Sequence, residues 1–182
     1  MPILNAKNSN FLLKFPPNFL YPEVVAKYQR YLIHDPNPYD TLVDYLNASI
    51  QSVNFTGFSY TPNQQVLLDD FVGWKSGFDA NKMLVKTFTV NFKTYEGFIN
   101  YWIMREQLTQ FLDYDTENEF LSPITLSFLD HVGFELVNYK FEQVLMVGIG
   151  DLDLSFSNNM PNFETFSIDF TYNYLKIQHR LD

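Results

Sequence analysis

The chain has 182 residues, 46% of them hydrophobic, and carries a formal net charge of −9. This length suits one domain with a buried core, and the hydrophobic share excludes a chain that stays disordered in solution. Tight binding to nucleic acid is disfavoured, because 21 acidic residues outnumber 12 lysines and arginines, and phosphates are bound by cations that replace their counterions.

The first fifty residues predict a strand followed by two short helices. Residues 10–15 read as a strand that stops at Pro16 and Pro17. Apolar residues then recur at helical spacing from Pro22 to about residue 32, and again over residues 40–50. The prolines between these two segments predict a turn, because a residue before proline is pushed out of the helical region.

The spacing changes to a period of two at Gln51, where Val53, Phe55 and Phe58 fall near one face of a predicted strand. Residues 61–82 contain a proline, two glycines and several Asn and Asp residues, and predict a long loop or arm. This arm is too apolar for a solvated linker, so we expect it to pack against another surface.

A strand over residues 84–93 and an amphipathic helix over residues 95–112 follow the arm. One broad apolar face of this helix is predicted to contain Phe98, Ile99, Trp102, Ile103, Leu108 and Phe111. Residues 113–119 hold four acidic side chains and are predicted to form a solvated connection.

The last third of the chain reads as strands joined by short turns. The predicted strands cover residues 124–128, 134–145, 152–156 and 166–174, with breaks at residues 130–133, 148–150 and 157–162. The whole chain therefore predicts an α+β fold that is mainly β, an antiparallel β-barrel or sandwich with one long packed helix and short N-terminal helices. We expect a single domain over 1–182, in which 1–50 form an N-terminal strand and helical extension and 51–177 form the β-barrel core with the helix 95–112.

The sequence holds no specific metal or cofactor motif. His34, His131 and His179 are far apart, and a lone histidine in a turn is usually a solvated side chain. Asp69-Asp70 with Asp79 could hold Ca²⁺, but the EF-hand spacing and its closing Glu are missing. We therefore expect neither a metal nor a cofactor.

No catalytic pattern stands out either. The segment Gly148-Ile149-Gly150-Asp151 lacks the third glycine and the lysine of a phosphate-binding loop and predicts a strand break. Asp151 and Asp153 could in principle act as a carboxylate pair on a glycoside, yet a solvated pair is the better interpretation. With no cysteine and no serine in an elbow motif, the sequence predicts a protein that is not an enzyme.

The order of strand patterns in the C-terminal third resembles the close of phage tail tube proteins of the contractile type. The resemblance is carried by Ile124–Asp130, Val137–Val144, Val147–Phe156 and Phe166–Tyr172. It extends backwards to the strand near residues 85–92 and the helix that carries Tyr101-Trp102, and covers about residues 51–177.

This resemblance implies a structural subunit that forms hexameric rings, which stack into a conduit for DNA delivery. It implies tail sheath or baseplate proteins as partners, DNA that passes without specific binding, and a place in the virion tail after assembly in the host cytoplasm. A neighbouring subunit would contact the arm at Phe71, Val72 and Trp74. The resemblance, in which the sheet lines the channel, implies that Asp151, Asp153 and Asp169 face the lumen.

The N-terminus lacks the apolar run of a signal peptide, and no stretch of about 18 apolar residues occurs, so we expect no membrane association. Three alternatives remain open from the sequence. One is a baseplate or tail-completion protein of the same fold. Another is a monomeric carbohydrate-binding β-sandwich module, which the 18% share of aromatic residues would suit. The last is an enzyme that would bring together dispersed residues such as Asp69, Glu106 and His131.

Overall fold

The computed structural model of the chain describes residues 10–31, 39–55, 63–67, 70–74, 86–113, 120–152 and 164–180; over 63–67 and 70–74 the description is of the backbone. The α-helices are α1 (Pro22–Tyr28), α2 (Leu42–Ser49) and α3 (Ile99–Leu112). The strands are β1 (Phe11–Lys14), β2 (Ile50–Phe55), β3 (Asn63–Leu67), β4 (Asp70–Trp74), β5 (Thr87–Lys93), β6 (Ile124–Leu129), β7 (Glu135–Ile149) and β8 (Thr165–His179).

Six of these strands form one antiparallel sheet in the order β1-β6-β7-β8-β5-β2. The sheet curves into a nearly closed barrel, so that Phe55 at the end of β2 contacts Phe128 of β6 and Tyr139 of β7 through edge-on ring packing. β3 and β4 form a separate two-stranded antiparallel sheet. The predicted fold class is confirmed.

The barrel interior is filled by stacked phenylalanine rings. The ring of Phe88 lies 4.4 Å from that of Phe141 and 4.9 Å from that of Phe170, both nearly parallel. Phe92 stacks on Phe166 in the same way, at 5.1 Å. These contacts join β5 to β7 and β8, and they explain why phenylalanine dominates the buried positions of the alternating strands.

The helix predicted over residues 95–112 is broken near its start. Glu96–Phe98 form a single 3₁₀ turn, and α3 begins at Ile99. Gly97 and Phe98 have φ angles of 70° and 54°, in the left-handed region, so a continuous right-handed helix cannot run through them. The boundary at residue 112 is confirmed.

The buried face of α3 differs from the predicted one. It consists of Asn100, Ile103, Met104 and Gln107, at helical spacing, whereas Trp102 is 42% exposed. Gln107 is buried because its Nε2 donates to Phe19 O and its Oε1 accepts from Tyr21 N–H, both at 2.9 Å. The prediction is confirmed for Ile103, and for Ile99, Leu108 and Phe111, which pack partly buried against the core. The apolar pattern missed Asn100 and Gln107, because a buried amide is stable when both ends are hydrogen-bonded.

Two further predictions were wrong. Residues 61–82 were predicted as a long loop or arm; the loop is wrong, because β3 and β4 pair within them, with Val66 opposite Phe71, and the arm stays a prediction. The predicted break at residues 148–150 lies too early, because β7 continues through Gly148 and ends at Ile149. Asp151 and Leu152 are not in a strand, and the remainder of the strand predicted over 152–156 lies outside the described residues.

Candidate assembly surfaces

The burial of side chains along β8 changes halfway along the strand. From Thr165 to Tyr172 every second side chain is buried, and those between them are exposed or half-buried. The buried Phe166, Ile168 and Phe170 are at most 2% exposed. From residue 173 to residue 179 every side chain is exposed. The first half therefore belongs to the barrel wall, and the second half does not.

The difference follows from the neighbouring strands. β5 pairs with β8 from Thr165 to Thr171, and the last backbone hydrogen bond on that side runs from Tyr172 N–H to Lys86 O. The Lys86 side chain reaches one residue further and donates to Asn173 O at 2.7 Å. Residues 173–179 pair with β7 on their other side, and no strand of the described ranges covers their free edge. We call residues 173–179 of β8, together with the facing residues 135–142 of β7, the projecting ribbon. β6 pairs with β7 along this stretch and Phe141 stays buried in the barrel, so the free edge belongs to β8 alone.

Gln143 marks the boundary of the ribbon on β7. Its φ of 53° lies in the left-handed region, which is rare for a residue with a side chain. Phe141 and Val144, on either side of it, are both buried although they are three residues apart, so the inward face shifts by one residue here. The Gln143 side chain accepts a hydrogen bond from Asn173 Nδ2, at 3.0 Å, which joins the boundary positions of the two strands.

The ribbon exposes apolar side chains on both faces. Leu175 and Ile177 are 36% and 49% exposed and lie opposite Phe141 and Tyr139, on the face that continues the barrel interior. On the opposite face and at the tip of the β6–β7 hairpin the exposed apolar residues are Val132, Phe134, Leu136 and Tyr174. Exposed apolar groups along a free sheet edge are typical of surfaces that another chain covers.

Charged groups stabilise the ribbon from its second face. Glu142 binds Lys176 at 2.8 Å and Lys140 at 3.6 Å, and Arg180 binds Glu135 at 3.0 Å. The hydrogen bond from Lys176 lowers the pKa of Glu142 below its ordinary value, with the nearby charge of Lys140 adding to this.

The turn at the ribbon tip is organised by Asp130. Its Oδ1 accepts the backbone N–H groups of Val132, Gly133 and Phe134 at 2.7–2.8 Å. These bonds, that of Phe134 first, lower the pKa of Asp130. Gly133 has a φ of 99°, which a residue with a Cβ rarely adopts, so glycine is required to close the turn.

Asp169 and Asp151, two of the predicted lumen residues, lie on the exposed surface. Asp169 points away from the barrel interior, between the buried Ile168 and Phe170, and accepts a hydrogen bond from Thr89 Oγ1 at 2.6 Å. Asp151 is exposed just beyond the end of β7. Asp153, the third of them, lies outside the described residues.

The outward face around Asp169 is polar and mostly uncharged. Asn91 Nδ2 donates to Ser52 Oγ at 2.9 Å, and Ser167 lies beside Asn91 in the next strand. Gly150 N–H donates to Ser167 O at 2.7 Å, and a Cβ at Gly150 would lie 2.4 Å from Ser167 Oγ, so a larger residue there would require this hydroxyl to move.

The predicted contact residues Phe71, Val72 and Trp74 all lie on β4, paired with β3. Their side chains lie outside the described part of the structure. The backbone shows that they belong to a hairpin in a sheet of its own, apart from the six-stranded sheet.

The described histidine and acidic residues that the sequence offered as catalytic candidates do not lie together. His131 is exposed in the turn after β6 and His179 is exposed at the end of β8, while His34 and Asp69 lie outside the described residues. Glu106 is bound to Lys27 at 2.9 Å. Within the described ranges, no three His, Asp or Glu side chains come together as potential metal ligands, and no helix is long and apolar enough to cross a lipid bilayer.

The ribbon was missed by the sequence reasoning. Leu175 and Ile177 continue the alternation of β8, which was the only available signal. Alternation over residues 163–175 favours a surface that is buried only between subunits, but Phe166, Ile168 and Phe170 are buried within the chain. The pattern cannot show where β5 ends, so it does not locate the change to exposed positions at residue 173.

Comparison with known proteins supports the fold at very low sequence identity. No protein-family profile matches the chain, and no curated protein matches its sequence. A chain in the cryo-EM structure of the tube-terminating cap of the anti-feeding prophage has a TM-score of 0.56 and 9% identity, with 98% of this chain and 94% of that chain covered. A chain in the sheath–tube complex of the extracellular contractile injection system PVC, in its extended state, has a TM-score of 0.54 and 10% identity, with 96% and 92% covered.

A chain in the sheath/tube terminator structure of the same system has a TM-score of 0.53 and 11% identity, with 97% of this chain and 98% of that chain covered. The resemblance to tail tube proteins that the sequence predicts is thus confirmed at the level of the fold. The match spans nearly the whole of both chains in each comparison.

Proposed function

We propose that the protein is a structural subunit of a tail tube, in which hexameric rings stack into a conduit. The observation that carries the proposal is the projecting ribbon, on a fold that is shared along its length with chains of contractile injection systems. A free sheet edge with exposed apolar side chains needs a partner, and a second copy of the same chain supplies one in a ring.

Assembly by head-to-tail contacts would explain why β8 extends past the end of β5 and leaves one edge uncovered. The edge of residues 173–179 offers backbone N–H and C=O groups to a strand of the next subunit, and Leu175 and Ile177 bury apolar area in the same contact. Contacts of this heterologous kind close into a ring when the rotation fits, and they give an open helical filament when it does not.

The hairpin β3–β4 acts as the arm in this proposal, with Phe71, Val72 and Trp74 contacting a neighbouring subunit. Phe71→Asp or Trp74→Asp should then impair assembly more than folding, because a charge would be left unpaired in an apolar contact. Assembly that persists together with a lowered melting temperature would instead assign these residues to the subunit's own core.

In this proposal Asp151, Asp153 and Asp169 face the lumen, and Asp169 lies on the outward face of β8. Like charges repeated around a narrow channel repel DNA phosphates, and salt weakens the effect. Replacing all three with Lys should leave the subunit folded and give tubes that retain DNA. Carboxylates buried between subunits, or on the outer wall, would contradict this assignment.

A second candidate of the same fold is a terminator or baseplate component, favoured by the matches to the cap and terminator structures. Such a protein would form single rings and would not extend into tubes. Sheath or baseplate proteins are the proposed partners, the virion tail is the proposed location, and no catalytic role is proposed.

Negative-stain electron microscopy of the concentrated protein, with native mass spectrometry over a concentration series, tests the proposal. We expect six-fold rings, and tubes of stacked rings for the main tube subunit. A protein that stays monomeric at every concentration by both methods would overturn the tube proposal and favour the monomeric binding module.

A further inference from the structure

A pocket lies on the helical side of the molecule, away from the surfaces discussed above. It has a volume of about 400 Å³ and lies between α3 and the segment made by α1 and the 3₁₀ turn Gln29–Tyr31. Its walls include the rings of Tyr28, Tyr31 and Trp102. Tyr31 and Trp102 are 43% and 42% exposed, so the pocket has an accessible aromatic rim.

Three cations lie at this aromatic rim: Lys27 and Arg30 line the pocket, and Arg105 lies beside it, over the ring of Trp102. The guanidinium of Arg30 lies 5.2 Å from the ring centroid of Tyr31, and that of Arg105 lies 5.4 Å from the ring of Trp102. Lys27 lies beside them and is bound to Glu106. Among the described residues, neither guanidinium has a carboxylate within ion-pair distance, although the protein as a whole carries a charge of −9.

We propose that this pocket binds an acidic segment of a partner protein, which inserts one apolar side chain between the aromatic rings and places carboxylates on Arg30 and Arg105. The cavity is large enough for one bulky side chain, and arginine with tryptophan and tyrosine is the composition that dominates binding energy at protein interfaces. Carboxylates match the planar guanidinium through paired hydrogen bonds.

A protein segment fits the pocket better than nucleic acid. Three local cations neutralise few phosphates, and the overall charge of −9 repels a long polyanion. A short acidic segment has little charge outside the pocket and gains from the cations inside it. The inference does not depend on the tube proposal, because it concerns the helical face and not the ribbon.

Selection of a displayed library of random dodecapeptides against the intact protein tests the inference. We expect enriched peptides to carry Asp or Glu on both sides of an aromatic residue or leucine. The double variant Arg30→Glu, Arg105→Glu should lower their affinity by at least about tenfold, since two charge-assisted contacts become repulsive. The matched control Lys14→Glu, Lys93→Glu makes the same change in net charge on strands β1 and β5, outside the ribbon, and should bind as the native chain does.

Several results would overturn the inference, provided that circular dichroism shows both double variants to be folded. Enriched peptides without an excess of acidic residues would do so, and so would equal binding to the Arg30→Glu, Arg105→Glu variant. Tighter binding of decathymidylate than of the best peptide would assign the pocket to single-stranded nucleic acid. Loss of self-association in this variant alone would assign the pocket to a contact between copies, whereas loss of peptide binding with assembly intact supports the inference.

Discussion

The β7–β8 pair contains two regions with the same alternating sequence pattern, and their apolar side chains are buried in one region and exposed in the other. In the barrel region, Ile168 and Phe170 are fully buried, and the β5 strand covers the edge of β8. In the projecting ribbon, Leu175 and Ile177 are exposed, and β7 is the only neighbouring strand among the described residues. The alternation of apolar and polar residues is similar in both regions. In the barrel region the apolar residues are buried by the chain's own strands, and in the ribbon they form the surface that we propose a second copy covers.

Under the proposed assembly, apolar alternation reports the total burial of a strand by its own chain and by a neighbouring subunit together. The barrel region stabilises the monomer through stacked rings such as Phe88 on Phe170. The ribbon adds little to monomer stability, because its apolar groups remain in water. Mutations in the two regions should therefore affect folding and assembly in opposite proportions.

The largest effect on folding is expected in the barrel region. Phe170→Ala removes a fully buried ring that stacks on Phe88, and should lower the free energy of unfolding by about 3–5 kcal/mol, because it leaves a cavity in the core. Chemical denaturation of the native and variant chains measures this loss.

Ile177→Ala is the matched variant in the ribbon and should change the free energy of unfolding by less than about 1 kcal/mol. Equal losses from the two variants would break the comparison, since they would show that Ile177 is already covered within the monomer.

A smaller loss is expected from Gln107→Ala, on the helix that packs against the barrel. Two backbone groups, Phe19 O and Tyr21 N–H, would lose their partner in a buried place, at a cost of about 1–3 kcal/mol. Gln110→Ala on the same helix is the control and should be nearly neutral. A similar loss in both variants, measured by denaturant unfolding, would mean that the cost comes from the helix and not from these two bonds.

The boundary between the two regions can be tested at Gln143. Gln143→Val places a β-branched residue in the left-handed region and should cost about 1–2 kcal/mol. Gln143→Gly should be close to neutral, because glycine adopts this backbone without strain while it loses the hydrogen bond to Asn173. If Val were tolerated as well as Gly in thermal unfolding, the boundary would not depend on this backbone conformation.

The smallest effect is expected at the ribbon tip and depends on pH. The pKa of Asp130 is lower in the folded protein than in the unfolded chain, so its stabilising contribution is present above the unfolded pKa and is lost as the pH falls through the folded pKa. Asp130→Ala should lower the melting temperature slightly at neutral pH, and this difference should disappear at acidic pH. A difference that stays constant with pH would show that the carboxylate charge is not involved.

Much of the fold could be predicted because alternating apolar residues report strands directly. The limits of β6 and the start of α1 at Pro22 follow from local signals such as turn residues and proline. The kink at Phe98 could not be predicted, because a residue with a side chain in the left-handed region is held there by its surroundings.

The sequence predicts only part of the candidate assembly surface. Asp169 was correctly expected to point away from its apolar neighbours, since alternation fixes the face of a strand residue. The exposed state of Leu175 and Ile177 depends on where β5 ends, which is a non-local fact. The pairing of β3 with β4 was hidden by the turn-forming residues around it, which favoured a loop.

The central claim is that the projecting ribbon is the surface through which copies of this chain associate. Sedimentation velocity over a concentration series tests it most directly, with the native chain, the ribbon variant Leu175→Arg, Ile177→Arg, and the control Leu112→Arg at another exposed apolar position. The account predicts that the native chain and the control form assemblies, while the ribbon variant stays monomeric with an unchanged melting temperature. Assembly of the ribbon variant at the same concentrations as the native chain would contradict it.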